Sequence, residues 1–131
     1  MPKTDKQTIG SAGEDSACKY LENKGFSIIE RNYWKKFGEI DIVSERDGII
    51  HFVEVKSVSR ETNFNVTHEK YQDYEPTDNI HYKKLERLHR VIQIYLEDRN
   101  VSDETDWQID VISVFLNFKT RKAHIEHLED I

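Results

Sequence analysis

The alternation of hydrophobic and polar positions along the chain predicts two helices and five strands in the order α-β-β-β-α-β-β. Ala17, Cys18 and Leu21 recur at helical spacing and predict a helix over about 12–24. A second amphipathic helix is predicted over about 79–98. Runs of β-branched and aromatic residues predict strands at about 26–34, 38–45, 49–58, 107–118 and 123–128.

Boundary signals accompany the first helix. Ser11 and Glu14 have the spacing of a capping box, which predicts that the helix begins there and that residues 1–10 form a flexible tail. Gly25 is suited to the C′ position after the helix. The polar, irregular stretch 59–78 is predicted to be a long loop.

The clearest local signal is the Asp47-Gly48 pair between two strand-like runs, since Asp-Gly is a preferred type I′ hairpin loop. In that hairpin the numbers of paired residues sum to 95, so Asp41 faces Glu54. One face then holds this carboxylate pair and the other face is apolar. The remaining pairs are Val43 with Phe52 and Glu39 with Lys56 on the first face, and Ile40 with Val55 and Ile42 with Val53 on the second.

Two carboxylates directly opposed across strands repel one another, so something must offset the repulsion between Asp41 and Glu54. Either one acid is protonated or a divalent cation lies between them. Glu14 shares the inward face of the first helix and can add a third carboxylate. The alternative is structural: Glu14 completes a capping box, and the hairpin charges form a solvated strand face.

Composition describes one soluble domain, residues 1–131, with 37% hydrophobic and 34% charged residues. The net charge of −6 argues against non-specific coating of nucleic acid but leaves room for a local basic surface. Cys18 is the only cysteine, which excludes a disulfide scaffold. The longest apolar stretch falls well short of the roughly 18 residues of a membrane span, and the first residues resemble no secretory signal, so we expect a cytoplasmic protein.

The motif G-E-I-D over residues 38–41, followed by F-V-E-V-K over residues 52–56, matches the Asp…Glu-x-Lys signature of the PD-(D/E)XK nuclease superfamily. The chain also resembles the YraN-like family of bacterial proteins, which are similar to archaeal Holliday-junction resolvases. The residues that carry this second resemblance are Gly10, Gly13, Glu14, Ala17, Tyr20, Leu21, Lys24 to Phe26, Arg31 to Tyr33, Lys84, Arg87, Leu88 and Ile109 to Val111.

The resemblance implies a restriction-endonuclease-like α/β core, a mixed sheet flanked by helices. It implies that Asp41, Glu54, the backbone carbonyl of Val55 and Glu14 hold Mg²⁺ or Mn²⁺. Lys56 would orient or activate the attacking water and stabilise charge on the scissile phosphate. The expected activity is hydrolysis of nucleic-acid phosphodiester bonds, with structured or branched DNA in repair or recombination as the expected substrate.

The chain departs from the family pattern just after this lysine. Ser57 and Val58 stand where family members commonly have Thr-Arg, unless Arg60 takes the place of that arginine. The stretch from Lys56 to Lys84 is also longer than usual. Both departures concern the substrate side of the site. An adaptor that has kept the fold but does not cut is therefore the alternative function.

Basic residues in two places are candidate nucleic-acid contacts: Arg31, Lys35 and Lys36 near the end of the first strand, and Lys83, Lys84 and Arg87 on the second helix. Ordinary strand-end and solvated-helix positions are the alternative. His51 shows no carboxylate or cysteine pattern that would make it a ligand. Further expected partners are a second copy of the chain, by analogy with resolvases, and a protein that supplies DNA affinity.

Overall fold

The chain folds into two helices and one five-stranded sheet, in the order that the sequence predicts. A computed structural model describes residues 5–59 and 82–131. The helices are α1 (Asp5–Asn23) and α2 (Tyr82–Asp98), and the strands are β1 (Ser27–Lys35), β2 (Gly38–Arg46), β3 (Ile49–Ser59), β4 (Asp106–Asn117) and β5 (Lys122–Leu128). The predicted loop 59–78 and the predicted first turn of the second helix, 79–81, lie outside the described residues, apart from the end of β3.

The sheet is mixed, with strand order β1-β2-β3-β4-β5. Neighbouring strands are antiparallel except β3 and β4, which pair in parallel from Ile49 with Asp106 to Ser59 with Leu116. A parallel pair requires a crossover, and α2 lies in that connection. The expectation of a mixed α/β sheet flanked by helices is therefore confirmed.

The two helices cover opposite faces of the sheet. Val43 and Phe52 pack with α2, whereas their strand neighbours Ile42 and Val53 pack with α1. The α2 side is lined by Leu88, Val91, Ile92 and Tyr95, and the α1 side by Ala17, Cys18, Leu21 and Phe26. Both faces are thus apolar where the sheet is covered, so the predicted division into one apolar face and one charged face is wrong. Neither of the described helices is long and apolar enough to cross a lipid bilayer.

The β2–β3 hairpin has the predicted loop and register. Asp47 and Gly48 have φ values of 55° and 79°, the positive values that a type I′ turn requires. The pairs run from Arg46 with Ile49 to Ile42 with Val53, all with numbers that sum to 95. The turn chemistry alone therefore sets this register.

The hairpin pairing ends at Ile42 and Val53, so the predicted strand pairs of Asp41 with Glu54, Ile40 with Val55 and Glu39 with Lys56 are wrong. The reason is that the Asp41 carboxylate accepts a hydrogen bond of 2.8 Å from the Val55 amide. The Val55 amide thus donates to a side chain rather than to the backbone of β2, and β2 and β3 diverge at this point.

The face that Ile40 occupies also differs from the prediction. Ile40 packs with Val43 in the α2 cluster rather than with Ile42 on the α1 side. Strict alternation would place Ile40 and Ile42 together. Asn32, which lies on β1 beside Asp41, has a left-handed φ of 54°, and this irregularity accompanies the change of face.

Helix α1 begins at Asp5, well before the predicted residue 12, so residues 5–10 are helical rather than a tail. Ser11 is an interior helical residue, and its predicted role as an N-cap is wrong. The earlier start has a physical reason, because Ile9 and Ala12 pack against the α1 side of the sheet. The other end is as predicted, with Gly25 in the left-handed region at φ 91°.

Candidate active site

Three carboxylates converge where β2 and β3 diverge. Glu14 comes from α1, and Glu39 and Asp41 come from β2. Their oxygens lie within 4.8 Å of one another. The sequence analysis named Glu14 and Asp41 as ligands but paired Glu39 with Lys56, so the structure adds Glu39 to the cluster. We call these three residues the carboxylate cluster.

The approach of α1 to β3 brings Glu14 to the sheet. A Cβ atom at Gly13 would collide with the Ser57 side chain, so only glycine permits this close packing. Glu14 follows Gly13 directly and therefore enters the site at the point of closest approach. Arg31 lies 3.7 Å from Glu14 and 2.9 Å from Asp15, which partly neutralises the acids of α1.

Burial and mutual repulsion govern the protonation of the carboxylate cluster. Burial raises the pKa of Asp41 well above its ordinary value, and the nearby Glu54 and Glu39 raise it further. Burial also raises the pKa of Glu14, as does the charge of Glu39. The cluster therefore favours a bound proton or a bound cation over three bare carboxylates.

Glu54 lies beside this cluster but is held by lysines. Lys84 of α2 reaches within 2.6 Å of Glu54 Oε1, and Lys56 lies 3.6 Å from the same atom. Burial and the neighbouring Lys84 lower the pKa of Lys56. Burial opposes the charge on Lys84 as well, but the hydrogen bond to Glu54 outweighs it and raises the pKa of Lys84. The structure thus places the acid and the lysine of the predicted Glu-x-Lys motif in contact.

The carboxylate cluster suits a hard divalent cation. Mg²⁺ and Mn²⁺ prefer carboxylate and carbonyl oxygen, and all three cluster ligands are of that type. A cleft of about 400 Å³ gives access from solvent to Glu14 and Asp41, whereas Glu39 lines the cavity that contains Glu54. The walls of the cleft include Glu14, Asp41 and Val55, three of the residues that the sequence assigned to the metal. Glu54, the fourth, faces the lysines and lines a separate cavity.

Three of the six candidate nucleic-acid contacts form ion pairs within the protein, and three are exposed. Arg31 pairs with acids of α1, Lys35 lies 3.6 Å from Asp98, and Lys84 pairs with Glu54. The other three, Lys36, Lys83 and Arg87, are exposed. Of the six, only Lys84 and Arg87 line the cavity that contains Glu54.

A second polar group is buried elsewhere in the sheet, around Asp110 of β4. His51 Nδ1 and His127 Nε2 lie 2.7 and 2.8 Å from Asp110 Oδ2, and Tyr20 contacts His127 at 3.1 Å. The other Asp110 oxygen accepts hydrogen bonds from the Gln108 side chain and the Asp130 amide. We call this group the Asp110 network.

The sequence analysis gave His51 no role, whereas the structure pairs it with a buried carboxylate. One sequence signal pointed to the pair, since Asp110 interrupts the apolar run of β4 and a buried charge requires partners. Glu129 also brings a carboxylate within 4.8 Å of the His51 and Asp110 ligand atoms. Because Asp110 already accepts several hydrogen bonds, the network is structural.

A comparison with protein families matches residues 13–114 to the model described as Uncharacterised protein family UPF0102. The chain belongs to the UPF0102 family. This confirms the YraN-like family that the sequence motifs indicate. The matched range contains the carboxylate cluster, Glu54 and both lysines, whereas His127 lies beyond it.

Individual UPF0102 proteins align over most of the chain. One from Campylobacter jejuni is 40% identical over 105 residues, which cover 80% of this chain and 81% of the relative. A UPF0102 protein from Campylobacter lari is 38% identical and covers 94% and 92% of the two chains. One from Desulforamulus reducens is 32% identical over 95% of each chain. The likeness to the last two relatives therefore covers more than nine-tenths of this chain.

Proposed function

We propose that this UPF0102 protein is a metal-dependent endonuclease that hydrolyses phosphodiester bonds in structured or branched DNA. The observation that carries the proposal is the convergence of Glu14, Glu39 and Asp41 beside the Glu54–Lys56 pair. A bound cation relieves the repulsion between carboxylates that lie this close together. The adjacent lysine supplies a positive charge that can stabilise negative charge on the phosphate during hydrolysis. The Asp…Glu-x-Lys resemblance supports the same activity.

The carboxylate cluster is the part of the site that would hold the metal. Glu14, Glu39 and Asp41 offer the oxygens, with Val55 at the wall of the cleft that reaches Glu14 and Asp41. The hydrogen bond from the Val55 amide fixes the Asp41 carboxylate, so the ligand is oriented before a cation binds. When bound, Mg²⁺ or Mn²⁺ would polarise the phosphoryl oxygen and lower the pKa of water.

Lys56 and Glu54 would act on the phosphate and the water. Lys56 is half-buried and its pKa is lowered, so its ammonium group is well suited to stabilise charge on the phosphate and to exchange a proton with water. Glu54 keeps that ammonium group in place. Hydrolysis joins the water oxygen to phosphorus and breaks one ester bond, leaving a phosphate monoester and a hydroxyl that takes a proton.

The test is a cleavage assay of the purified protein on end-labelled DNA and RNA. Single-stranded, duplex, flap and four-way-junction substrates are incubated with Mg²⁺, Mn²⁺ or EDTA. We expect metal-dependent products that are absent with Asp41→Asn and Glu54→Gln, and a rate about 100-fold lower with Lys56→Met. Glu45→Gln is the matched control, because Glu45 is an exposed acid on β2, the same strand as Asp41.

Two outcomes would overturn the nuclease proposal. Products that persist in Asp41→Asn and Glu54→Gln would assign the activity to a contaminant or to another site. A protein that binds these substrates in the presence of Mg²⁺ and of Mn²⁺ but cleaves none of them would be an adaptor. Equal loss of activity in Glu45→Gln would show that the substitutions act through folding.

The adaptor remains the second candidate function, and one observation favours it. Lys56 and Lys84 both pair with Glu54, so this acid is neutralised within the protein. The chain also carries a net charge of −6, which disfavours strong contact with phosphates. An adaptor would bind nucleic acid or protein through the same surface, and substitution of Lys56 would leave that binding unchanged.

A further inference from the structure

An aromatic side chain stands at a tight turn beside the proposed active site. Lys35 pairs with Gly38, so Lys36 and Phe37 form the loop between β1 and β2. Such positions favour Gly, Asn, Asp and similar residues. Phe37 is 46% exposed and so contributes little to the core. Packing alone does not explain an aromatic residue at this turn.

A cavity of about 130 Å³ separates this turn from α2. Phe37 and Leu88 provide apolar walls, while the acids Glu39 and Glu54 and the cations Lys84 and Arg87 provide charged groups. Glu39 belongs to the carboxylate cluster and also lines this cavity, so the cavity adjoins the cluster. A molecule bound here would therefore lie next to the phosphate at the proposed metal site.

The cavity matches one ligand chemistry, a flat aromatic group attached to an anion. The guanidinium group of Arg90 lies 5.2 Å from the centre of the Phe37 ring, and Arg87 and Lys36 are exposed around the same turn. These cations complement phosphates on either side of a base, and the ring offers a stacking surface.

We propose that the Phe37 cavity binds an unpaired base next to the scissile phosphate, so the substrate carries single-stranded nucleotides at the cleavage point. This inference rests on the proposed nuclease function and adds the substrate class. In a continuous duplex each base is stacked and paired, so its face is closed to Phe37. Single strands, flaps and open junction arms present such bases without the cost of unpairing.

Binding in EDTA tests this proposal separately from cleavage. Fluorescence anisotropy compares a labelled single-stranded oligonucleotide with a duplex of the same length on the full chain. We expect Phe37→Ala to weaken single-strand binding about tenfold, which is the usual effect of losing one stacked base. Phe37→Trp should retain the affinity. Phe118→Ala is the matched control, because Phe118 is 49% exposed on the segment after β4.

A fluorescent base analogue, 2-aminopurine, reports on the stacking itself. Its emission should fall when the oligonucleotide binds the wild-type protein and recover with Phe37→Ala. The cavity assignment would be overturned if Phe37→Ala left the affinity for the single strand unchanged. It would also be overturned if the substitution weakened duplex binding equally, or if the wild-type protein bound the duplex more tightly than the single strand. Duplex cleavage without single-strand binding would also overturn it while leaving the nuclease intact. A changed oligomeric state in Phe37→Ala with unaltered binding would make the turn a protein contact instead.

Discussion

The ammonium group of Lys84 lies 2.6 Å from Glu54 Oε1, although the two residues belong to different elements, α2 and β3. The contact joins the helix of the β3–β4 crossover to the acid of the Glu-x-Lys motif. Glu54 is only 8% exposed, and Lys56 lies 3.6 Å from the same oxygen as a second counter-charge. Glu54 lies beside the carboxylate cluster, so a cation bound at the cluster and the two lysines would compete to neutralise Glu54.

Removal of Lys84 tests this competition. We expect Lys84→Met to lower the free energy of unfolding in EDTA by about 1 kcal/mol, because Glu54 loses its closest counter-charge. Mn²⁺ should then raise the melting temperature more in the variant than in the wild-type protein, since the cation replaces the missing charge. Thermal melts with and without Mn²⁺ measure both effects. Lys83→Met, on the exposed side of the same helix, is the control. If Mn²⁺ raised the melting temperature equally in both variants, the competition would be contradicted.

Removal of one carboxylate charge from the cluster should leave the metal-free protein at least as stable as before. Burial and the neighbouring acids raise the pKa of Asp41, so its charged form is disfavoured when no metal is bound. We expect Asp41→Asn in EDTA to be at least as stable as the wild-type protein, and to lose the stabilisation by Mn²⁺. Urea unfolding with EDTA or Mn²⁺ measures this, with Glu45→Gln as the control. A full Mn²⁺ response in Asp41→Asn would remove Asp41 from the metal site.

Two glycines of α1 should respond oppositely to the same substitution. Gly10→Ala should raise the free energy of unfolding by about 1 kcal/mol, because alanine favours the helix and no heavy atom lies within 4 Å of the new Cβ. Gly13→Ala should lower it by about 1 to 3 kcal/mol, because the new Cβ meets Ser57. Urea unfolding compares the two. The double variant Gly13→Ala with Ser57→Gly should recover most of the loss, and no recovery would show that the collision is not the cause.

The Asp110 network should be the main buried polar contribution to stability. Asp110→Asn replaces a carboxylate that accepts from His51 and His127 by an amide, so we expect the free energy of unfolding to fall by about 3 kcal/mol. Asp106→Asn, an exposed acid at the start of the same strand, is the control. A loss for Asp110→Asn no larger than for the control would show that the network contributes little.

The same network predicts an acid dependence of stability. Burial alone would raise the pKa of Asp110, but hydrogen bonds from His127, Gln108, the Asp130 amide and His51 outweigh it and lower the pKa to about 2. The ordinary value is 3.8. Because the folded state holds the proton less tightly, its contribution of about 2 kcal/mol is fully present above pH 4 and is lost as the pH falls towards 2.

The difference in unfolding free energy between the wild-type protein and Asp110→Asn isolates this contribution. It should be constant from about pH 5 to 7 and shrink between about pH 4 and 2. Denaturant unfolding at closely spaced pH values measures it. A difference that stays constant down to pH 2 would show that Asp110 does not have a lowered pKa.

Local rules determined much of this protein from its sequence. Asp47 and Gly48 set the hairpin register, because a two-residue turn and period-two alternation leave one pairing for the strands it joins. Gly25 ended α1 for a similar reason, since few residues adopt a positive φ. The same register brought Asp41 and Glu54 to one end of the hairpin, and the Asp…Glu-x-Lys spacing then identified the family.

Contacts between distant elements were decided only by tertiary packing. The Val55 amide bonds to the Asp41 side chain instead of the backbone, which opens the hairpin and lets Glu39 join Glu14. Likewise, Lys84 reaches Glu54 only because α2 packs across the sheet. Sequence periodicity specifies which face of an element is buried, but not how far two elements approach or how they are rotated. Those quantities depend on the packing of the whole core, and they set the geometry of the site.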